Sequence, residues 1–433
     1  MSSSFSFRRI GYATGNFGKN ILASSMDILL LFVMTDMLGI NPTLAGLVML
    51  SSLVLDALLD PLIGLASDRT HGVLGRYGPY ILLGAPISAG LFVALFQLPA
   101  LGLGSVLLVA LLSWGFRIGY SLIDLPHNAL LTAVAPAGPE RARLSTYRFL
   151  FSSLASLVIA LSLRPLADGD DASGLSASTL ASLSIAIGLS SALVMVFSWL
   201  SVAGLDRKHS ATAVAGRVGW RELGQALRVR FLRRTIALGA LASLGLPLFA
   251  KSLLYVAANL LDDVEAASDM LTAMFTGQLA GIALWIGLAA KKPSTALLTY
   301  AYCVAAFGLA SAMAFLAFAP QFVLVSCFIV GIGAAGAYSL IWTIVADGAD
   351  WVQAKLGISA SGAIFAVAIL AQKAAIGLGA MIFGAGLDLA GYEAGGSSLA
   401  IDRAILGCGL ALPCALALSC AWLCHELGKG SSA

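Results

Sequence analysis

The sequence predicts an all-α membrane protein of twelve transmembrane helices in two pseudo-symmetric halves of six. Three observations carry this. First, 59% of the 433 residues are hydrophobic and only 11% charged, with a mean hydropathy of +0.93. Soluble domains carry about 25% charged residues. Second, twelve apolar stretches each reach the ~20 residues needed to cross ~30 Å of hydrocarbon. Third, a basic linker at 206–235 separates six stretches from six.

The expected spans centre near residues 30, 54, 88, 115, 155, 190, 248, 279, 306, 334, 369 and 413. Their linkers alternate in charge. Arg8 and Arg9 precede span 1, Arg69 and Arg76 follow span 2, Arg141 and Arg143 follow span 4, and Lys291 and Lys292 follow span 8. The other loops are acidic or neutral, as in ADGDDASG at 167–174 and at Asp262, Asp263, Glu265 and Glu393. The positive-inside rule then places both termini in the cytoplasm of a multi-pass plasma-membrane protein, here a bacterial inner membrane. No cleavable signal peptide is expected, because the first span is too long for one. The expected divisions are 1–205, a cytoplasmic linker at 206–235, and 236–433. The linker carries eight Lys/Arg against Asp206 and Glu222. A connector lying partly as an amphipathic helix on anionic headgroups accounts for it.

Composition also excludes. A net charge of +3 is too small to call for nucleic acid. The six cysteines lie in apolar spans without zinc-ligand spacing, so core packing explains them. No nucleophile–base set is present, and no cofactor is expected. Nothing marks an obligate protein partner.

Charges inside the spans are the informative exception. Asp56 and Asp60 stand one helical turn apart in LVLDALLDPLIG, so both carboxylates leave one face. A charge at the bilayer centre costs roughly 2.5–3.5 kcal/mol on insertion scales, and such groups face a bundle interior or a cavity. Asp27, Asp124, Arg117, Arg148, Lys251 and Lys373 complete a set of four acids and four bases. Asn20, Ser24 and Asp27 share a face of span 1. Arg117, Tyr120, Ser121, Asp124 and Asn128 share a face of span 4. A packing role suffices for His127, and a structural pair or a snorkelling position for Lys251.

A chain of six plus six spans with a basic central loop matches the architecture of secondary transporters, whose sites lie near the midplane between the halves. The loop after span 2, GLASDRTHGVLGR at 64–76, is similar to the loop signature of the major facilitator superfamily. Further segments carry a closer likeness: GYATGNFGKN, TDMLGI, LDALLDPLIGLASDRT, GRYGPYILLGAP, YSLIDLPHNALL, YRFLFSSLAS, VADGADW and the span 11 lysine. On these the chain resembles the glycoside–pentoside–hexuronide:cation symporter family, in its melibiose-permease-like form, over nearly its whole length.

The resemblance implies a major facilitator fold and cation-coupled symport of a small solute by alternating access. It implies a cation site at Asp56, Asp60 and Ser121. It implies a substrate site at Asp124, Arg148, Tyr338 and Lys373. Several positions depart from the family pattern. Asn20 replaces a sugar-binding acid, Asp27 a tyrosine, Asn128 a stacking tryptophan, Leu53 an arginine and Leu59 an asparagine, and Arg117 stands at a glycine position. Asn20, Asp27, Arg117, Tyr120 and Asn128 are therefore read as substrate-site residues. Two expectations follow. Without the amide oxygen at position 59, a proton suits the acids better than sodium, since burial in general favours a carboxyl's neutral form. If sodium couples instead, Asp56 and Asp60 are its ligands. Arg117 would suit an anionic solute such as a glycoside acid. The alternatives are a lysolipid or amphiphile carrier, and a transport-inactive sensor.

Overall fold

The computed structural model describes residues 3–70, 72–135, 139–166, 175–209, 228–289, 291–356 and 361–430. Among the described residues the regular elements are all helical, and 12 helices are long and apolar enough to cross a membrane. No water reaches the hydrocarbon to pair a free backbone N–H, so each span bonds within itself. The spans are Phe7–Met37, Pro42–Ser67, Gly78–Gln97, Val106–Ala129, Arg143–Leu166, Ala177–Asp206, Arg230–Leu260, Glu265–Ala289, Ser294–Phe318, Pro320–Gly348, Ile364–Leu389 and Leu399–Gly428. Each expected centre falls inside its span. Span 1 is the one misjudged: its helix starts at Ser3, well before the apolar run. That places Lys19 inside the span, a charge the sequence reading left outside the membrane.

Contacts divide the chain into two compact units, Met1–Ile40 with Ser51–Ala215, and Asn41–Leu50 with Gly216–Ala433. In the first unit span 1 packs on spans 5 and 6, and span 3 on spans 4 and 6. In the second, span 7 packs on spans 11 and 12, and span 9 on spans 10 and 12. The second pattern is the first with six added to every number, as an internal repeat requires. Spans 1 and 7 even share a π-helical last turn, Val33–Met37 and Val256–Leu260.

The connector is shorter than the expected 206–235. The helix of span 6 continues to His209 and the next helix opens at Arg230. Residues 210–227, where the amphipathic helix was expected, lie outside the described residues. The start of span 2 also groups with the second unit rather than the first. Glycines explain it: a Cβ on Gly384 would meet the Pro42 carbonyl oxygen at 2.2 Å, and one on Gly46 would meet Met381 Cα at 2.7 Å. Asn41 Nδ2 and Thr43 Oγ1 each donate to the Asp388 carboxylate at 2.6 Å.

Span 2 is polar inside and apolar outside. Leu58, Leu62 and Leu65 form its exposed stripe, while Leu53, Asp56 and Asp60 are buried. Cys303 is exposed, whereas Cys327, Cys414, Cys420 and Cys424 are buried, so packing describes most but not all of the cysteines.

One buried carboxylate organises an end of the first unit. Asp206 accepts the backbone N–H groups of Arg76 (3.0 Å), Tyr77 (3.2 Å) and Gly78 (3.0 Å), and the Trp199 indole N–H (3.3 Å). These N–H groups open the helix of span 3, which lacks a side-chain cap of its own. Gly75 just before them has φ +82, and a Cβ there would lie 2.5 Å from Asp206 Oδ2. The loop signature thus holds its glycine for a positive φ and a close approach. The side chain of Asp68 lies outside the described residues.

At the same basic end, Arg9 donates to Glu140 at 2.5 Å. That bond holds the Glu140 carboxyl below the usual glutamate range, with the Arg9 charge adding to it. A depressed folded value means the stabilisation is present above the unfolded pKa and disappears as pH falls through the folded one. Glu140→Gln should therefore lower Tm slightly at neutral pH and leave it unchanged in strong acid. A Tm difference that persists in acid would contradict this account.

Candidate functional site

The polar groups of the first unit form two clusters at different depths. Span 4 carries one half of each. Arg117 and Asp124 share a helix face but are separated by seven residues, about 10 Å along the axis at ~1.5 Å per residue. Span 1 answers in antiparallel order, with Asp27 opposite Arg117 and Lys19 opposite Asp124.

The first cluster is acidic. The Ser121 hydroxyl lies between the two span 2 acids, donating in a short bond to Asp56 Oδ1 and sitting 3.2 Å from Asp60 Oδ1. The Arg117 guanidinium lies 4.0 Å from Asp56 Oδ2 and 3.4 Å from Asp27 Oδ1. Asp56 and Arg117 have side chains only 1% and 3% exposed, whereas Asp27 is 29% exposed and forms the open side. The Phe116 ring centroid lies 5.6 Å from the Arg117 guanidinium carbon. One turn away, the Trp114 indole N–H donates to Ser51 Oγ at 3.0 Å.

The second cluster is cationic on balance. Lys19 Nζ donates to Asp124 Oδ1 at 2.5 Å and to Asn128 Oδ1 at 2.7 Å. Arg148 donates to the same Asn128 oxygen in a short bond and to Asn16 Oδ1 at 2.9 Å. Asn128 Nδ2 returns a bond to Asp124 at 3.1 Å. Spans 1 and 5 run alongside in step. Asn16 and Asn20 donate to Ser152 Oγ at 3.1 and 2.9 Å, and the Ser24 and Ser156 hydroxyls pair at 2.7 Å. Two cations therefore share the Asn128 oxygen, and one of them, Lys19, also holds the Asp124 carboxylate. Tyr120 is buried on the same span as Asp124, and its ring stacks on Phe116 with centroids 5.7 Å apart.

Behind the second cluster Tyr12 and His127 brace spans 1 and 4. Their rings stack at 4.6 Å and the Tyr12 hydroxyl donates to the His127 carbonyl at 2.8 Å. Gly15 makes room, since a Cβ there would meet His127 Nε2 at 2.3 Å. His127 is fully buried and within 3.1 Å of Ser198 Oγ, in accord with a packing role. The Arg148 guanidinium carbon lies 5.6 Å from the Tyr12 ring centroid, which holds it inward rather than toward headgroups.

The expected site residues of the first unit are thus brought together, with two revisions. Arg117, expected among the substrate residues, lies beside Asp27 and Asp56. Asn20 serves to orient Ser152. Lys19, Asn16 and Ser152 were missed. The signal was present in GNFGKN: Asn16, Lys19 and Asn20 repeat at helical spacing toward Asp27. Lys19 also breaks the expected balance of four acids with four bases. In the second unit, Tyr338 and Lys373 are half-buried on spans 10 and 11, and Lys251 is buried in span 7.

A family model described as MFS/sugar transport protein matches residues 11–427. An uncharacterized symporter of Bacillus subtilis, YnaJ, is 24% identical over 409 residues, 89% of this chain and 83% of that one. The Escherichia coli inner membrane symporter YicJ is 22% identical over 392 residues, with the same coverage of 89% and 83%. A glucuronide carrier protein homolog of E. coli is 30% identical over 168 residues, 38% of this chain and 37% of that one. Among solved structures, a D-xylose-proton symporter shares the fold with a TM-score of 0.66 at 16% identity, over 97% of this chain and 96% of that one. The protein is a transporter, not an enzyme. Its matched length and its twelve spans make this chain a member of the MFS/sugar transport family, within the glycoside–pentoside–hexuronide:cation symporters.

Proposed function

We propose that this symporter takes up a monoanionic sugar acid, such as a hexuronate or a glycoside of one, together with protons. The observation that supports the anion is the second cluster: Lys19 donates to Asp124 and Asn128, and Arg148 donates to the same Asn128 oxygen. Two cations grouped there suit an anionic solute, and the asparagine offers hydroxyl groups a partner instead of a stacking face. The proton is supported by the first cluster. Sodium needs a shell of several oxygens, whereas a proton needs one carboxylate. Here two carboxylates share one hydroxyl, with Leu53 and Leu59 as apolar neighbours and a guanidinium already beside them.

One proton carried with one monoanion moves no net charge, so the pH gradient drives uptake: one pH unit is worth about 1.4 kcal/mol, which sustains roughly a tenfold gradient. The charge pattern of the loops supports cytoplasmic termini in the bacterial inner membrane. Arg9 pairs with Glu140, and the Arg76 backbone with Asp206, at one end of the first unit.

The test is uptake into proteoliposomes from a panel of neutral glycosides, D-glucuronate, methyl glucuronides and lysolipids, under separate pH and sodium gradients. Glucuronate-type anions should accumulate with the pH gradient. Lys19→Gln should weaken their uptake by about 10–100-fold, the worth of one charge-assisted hydrogen bond of ~1.5–3 kcal/mol. Uptake confined to neutral sugars or to lysolipids would overturn the anion, and uptake driven only by sodium would overturn the proton.

A further inference from the structure

We infer that Ser24 and Ser156 are specificity-determining residues: their paired hydroxyls form a second subsite that receives the part of the solute beyond its charged ring and selects a hydroxyl-bearing group there over an aryl one. The inference rests on the reading of the second cluster as the place of an anionic sugar ring, and it goes beyond that reading by saying what the ring carries. Spans 1 and 5 meet in a ladder of polar pairs. Arg148 Nε donates to Asn16 Oδ1 at 2.9 Å, Asn20 Nδ2 donates to Ser152 Oγ at 2.9 Å, and the Ser24 and Ser156 hydroxyls pair at 2.7 Å. Successive rungs lie four residues apart on each helix, about 6 Å at ~1.5 Å per residue, so the last lies about 12 Å beyond the first. A single sugar ring is shorter than this ladder; a ring with a second group attached spans it.

The ladder faces away from lipid and is still open. On span 5 the exposed apolar stripe is Leu150, Leu154, Val158 and Leu161. Arg148, Ser152 and Ser156 stand two residues from that stripe, about 200° around a helix at ~100° per residue, so they point the opposite way. They are half-buried rather than enclosed. On span 1, residues 21–36 are buried except for Ala23, Ser24 and Asp27, which are half-buried. Polar side chains that stay open on a face turned from lipid are what a span presents to a water-filled path. A hydrogen bond that only joined the two spans would have no need of that open side. Ser156 Oγ also donates to the Ser152 carbonyl at 3.4 Å, so Ser24 is the donor in the shared bond and its oxygen keeps lone pairs for a solute hydroxyl. An aryl group offers no such donor, and covering the pair with one would strip both hydroxyls of water without replacement. Asp27, three residues beyond Ser24 and 29% exposed, adds an acceptor at the far end.

The experiment titrates purified full-length protein with D-glucuronate, phenyl glucuronide and a glucuronyl-glucose disaccharide, and reads Kd from the rise in Tm. Glucose, phenyl glucoside and a glucosyl-glucose disaccharide form a neutral series. Wild type should bind the glucuronyl disaccharide about tenfold more tightly than phenyl glucuronide, the worth of about one hydrogen bond. Ser24→Ala combined with Ser156→Ala should bring that ratio near 1. Ser24→Thr keeps the hydroxyl and should preserve it. A ratio near 1 in wild type overturns the inference. So does a wild-type ratio in the double variant, or a loss of affinity shared equally by all the compounds, either of which would mark the pair as helix packing alone. If only the neutral series binds, the anionic reading fails, and the ratio of neutral disaccharide to phenyl glucoside judges the inference in the same way. If the glucuronyl compounds bind without the preference, the anionic reading stands and the inference fails. A protein that binds none of these compounds overturns the inference as well. Should the double variant not fold, Ser24→Ala alone decides it, and an unchanged ratio in that variant counts against the subsite.

Discussion

Replacing Asp56 by asparagine is expected to abolish accumulation of solute against a gradient while leaving counterflow in place. Asp56 is the most enclosed acid of its cluster, 1% exposed, and it holds both the Ser121 hydroxyl and the near side of Arg117. Asparagine keeps the shape and an acceptor oxygen for Ser121 but loses the charge. With no carboxylate to load at this position, the empty carrier can cross without a bound cation. The roughly tenfold gradient sustained by one pH unit should fall to none, because the ~1.4 kcal/mol acts only through a proton that is carried with the solute. The second cluster does not include Asp56, so exchange of labelled for unlabelled solute should persist. Uptake of D-glucuronate under an imposed pH gradient, paired with counterflow in the same vesicles, makes the measurement. Concentrative uptake by Asp56→Asn would show that this carboxylate does not carry the coupling charge.

Asp206→Ala should be the most destabilising single change on the basic-loop end of the first unit. Its carboxylate accepts three backbone N–H groups and an indole N–H while fully buried. Truncation leaves these donors without their acceptor and opens a void beside Gly75. Removing one partner of a buried charged network costs about 3–5 kcal/mol. For a unit of this size that is about 10 °C in Tm, at ~2–4 °C per kcal/mol. Asp206→Asn keeps one acceptor oxygen and should fall between the two. A melting temperature for Asp206→Ala within a degree or two of wild type would show that the start of span 3 does not depend on this contact.

Much of the site could be read from the chain alone, and the failures have specific causes. Asp56, Asp60 and Asp124 stood out because charge inside an apolar span is costly, helical spacing placed Ser121 on the face of Asp124, and the resemblance implied its role. Lys19 was lost because the apolar run that defines span 1 starts later than its helix. Hydropathy locates where lipid contact is possible, whereas the helix continues as long as its backbone is satisfied. Arg117 was assigned to the substrate because a guanidinium suits an anion and it shares a face with Asp124. A shared face does not mean a shared depth: seven residues separate the two by about 10 Å.

The sequence by itself determined the class of molecule, its twelve spans, the repeat of six, and which residues are too expensive to be idle in a membrane. These follow from transfer energies and helical periodicity, which act within one segment at a time. Only the tertiary structure decided which charges meet. Lys19 and Arg148 converge on Asn128, and Lys19 on Asp124 as well, because spans 1 and 5 run in step beside span 4. Arg117 turns to Asp27 and Asp56 because span 1 returns antiparallel to span 4 at their level. Pairing depends on depth and on the neighbouring helix, and neither is a property of a single span.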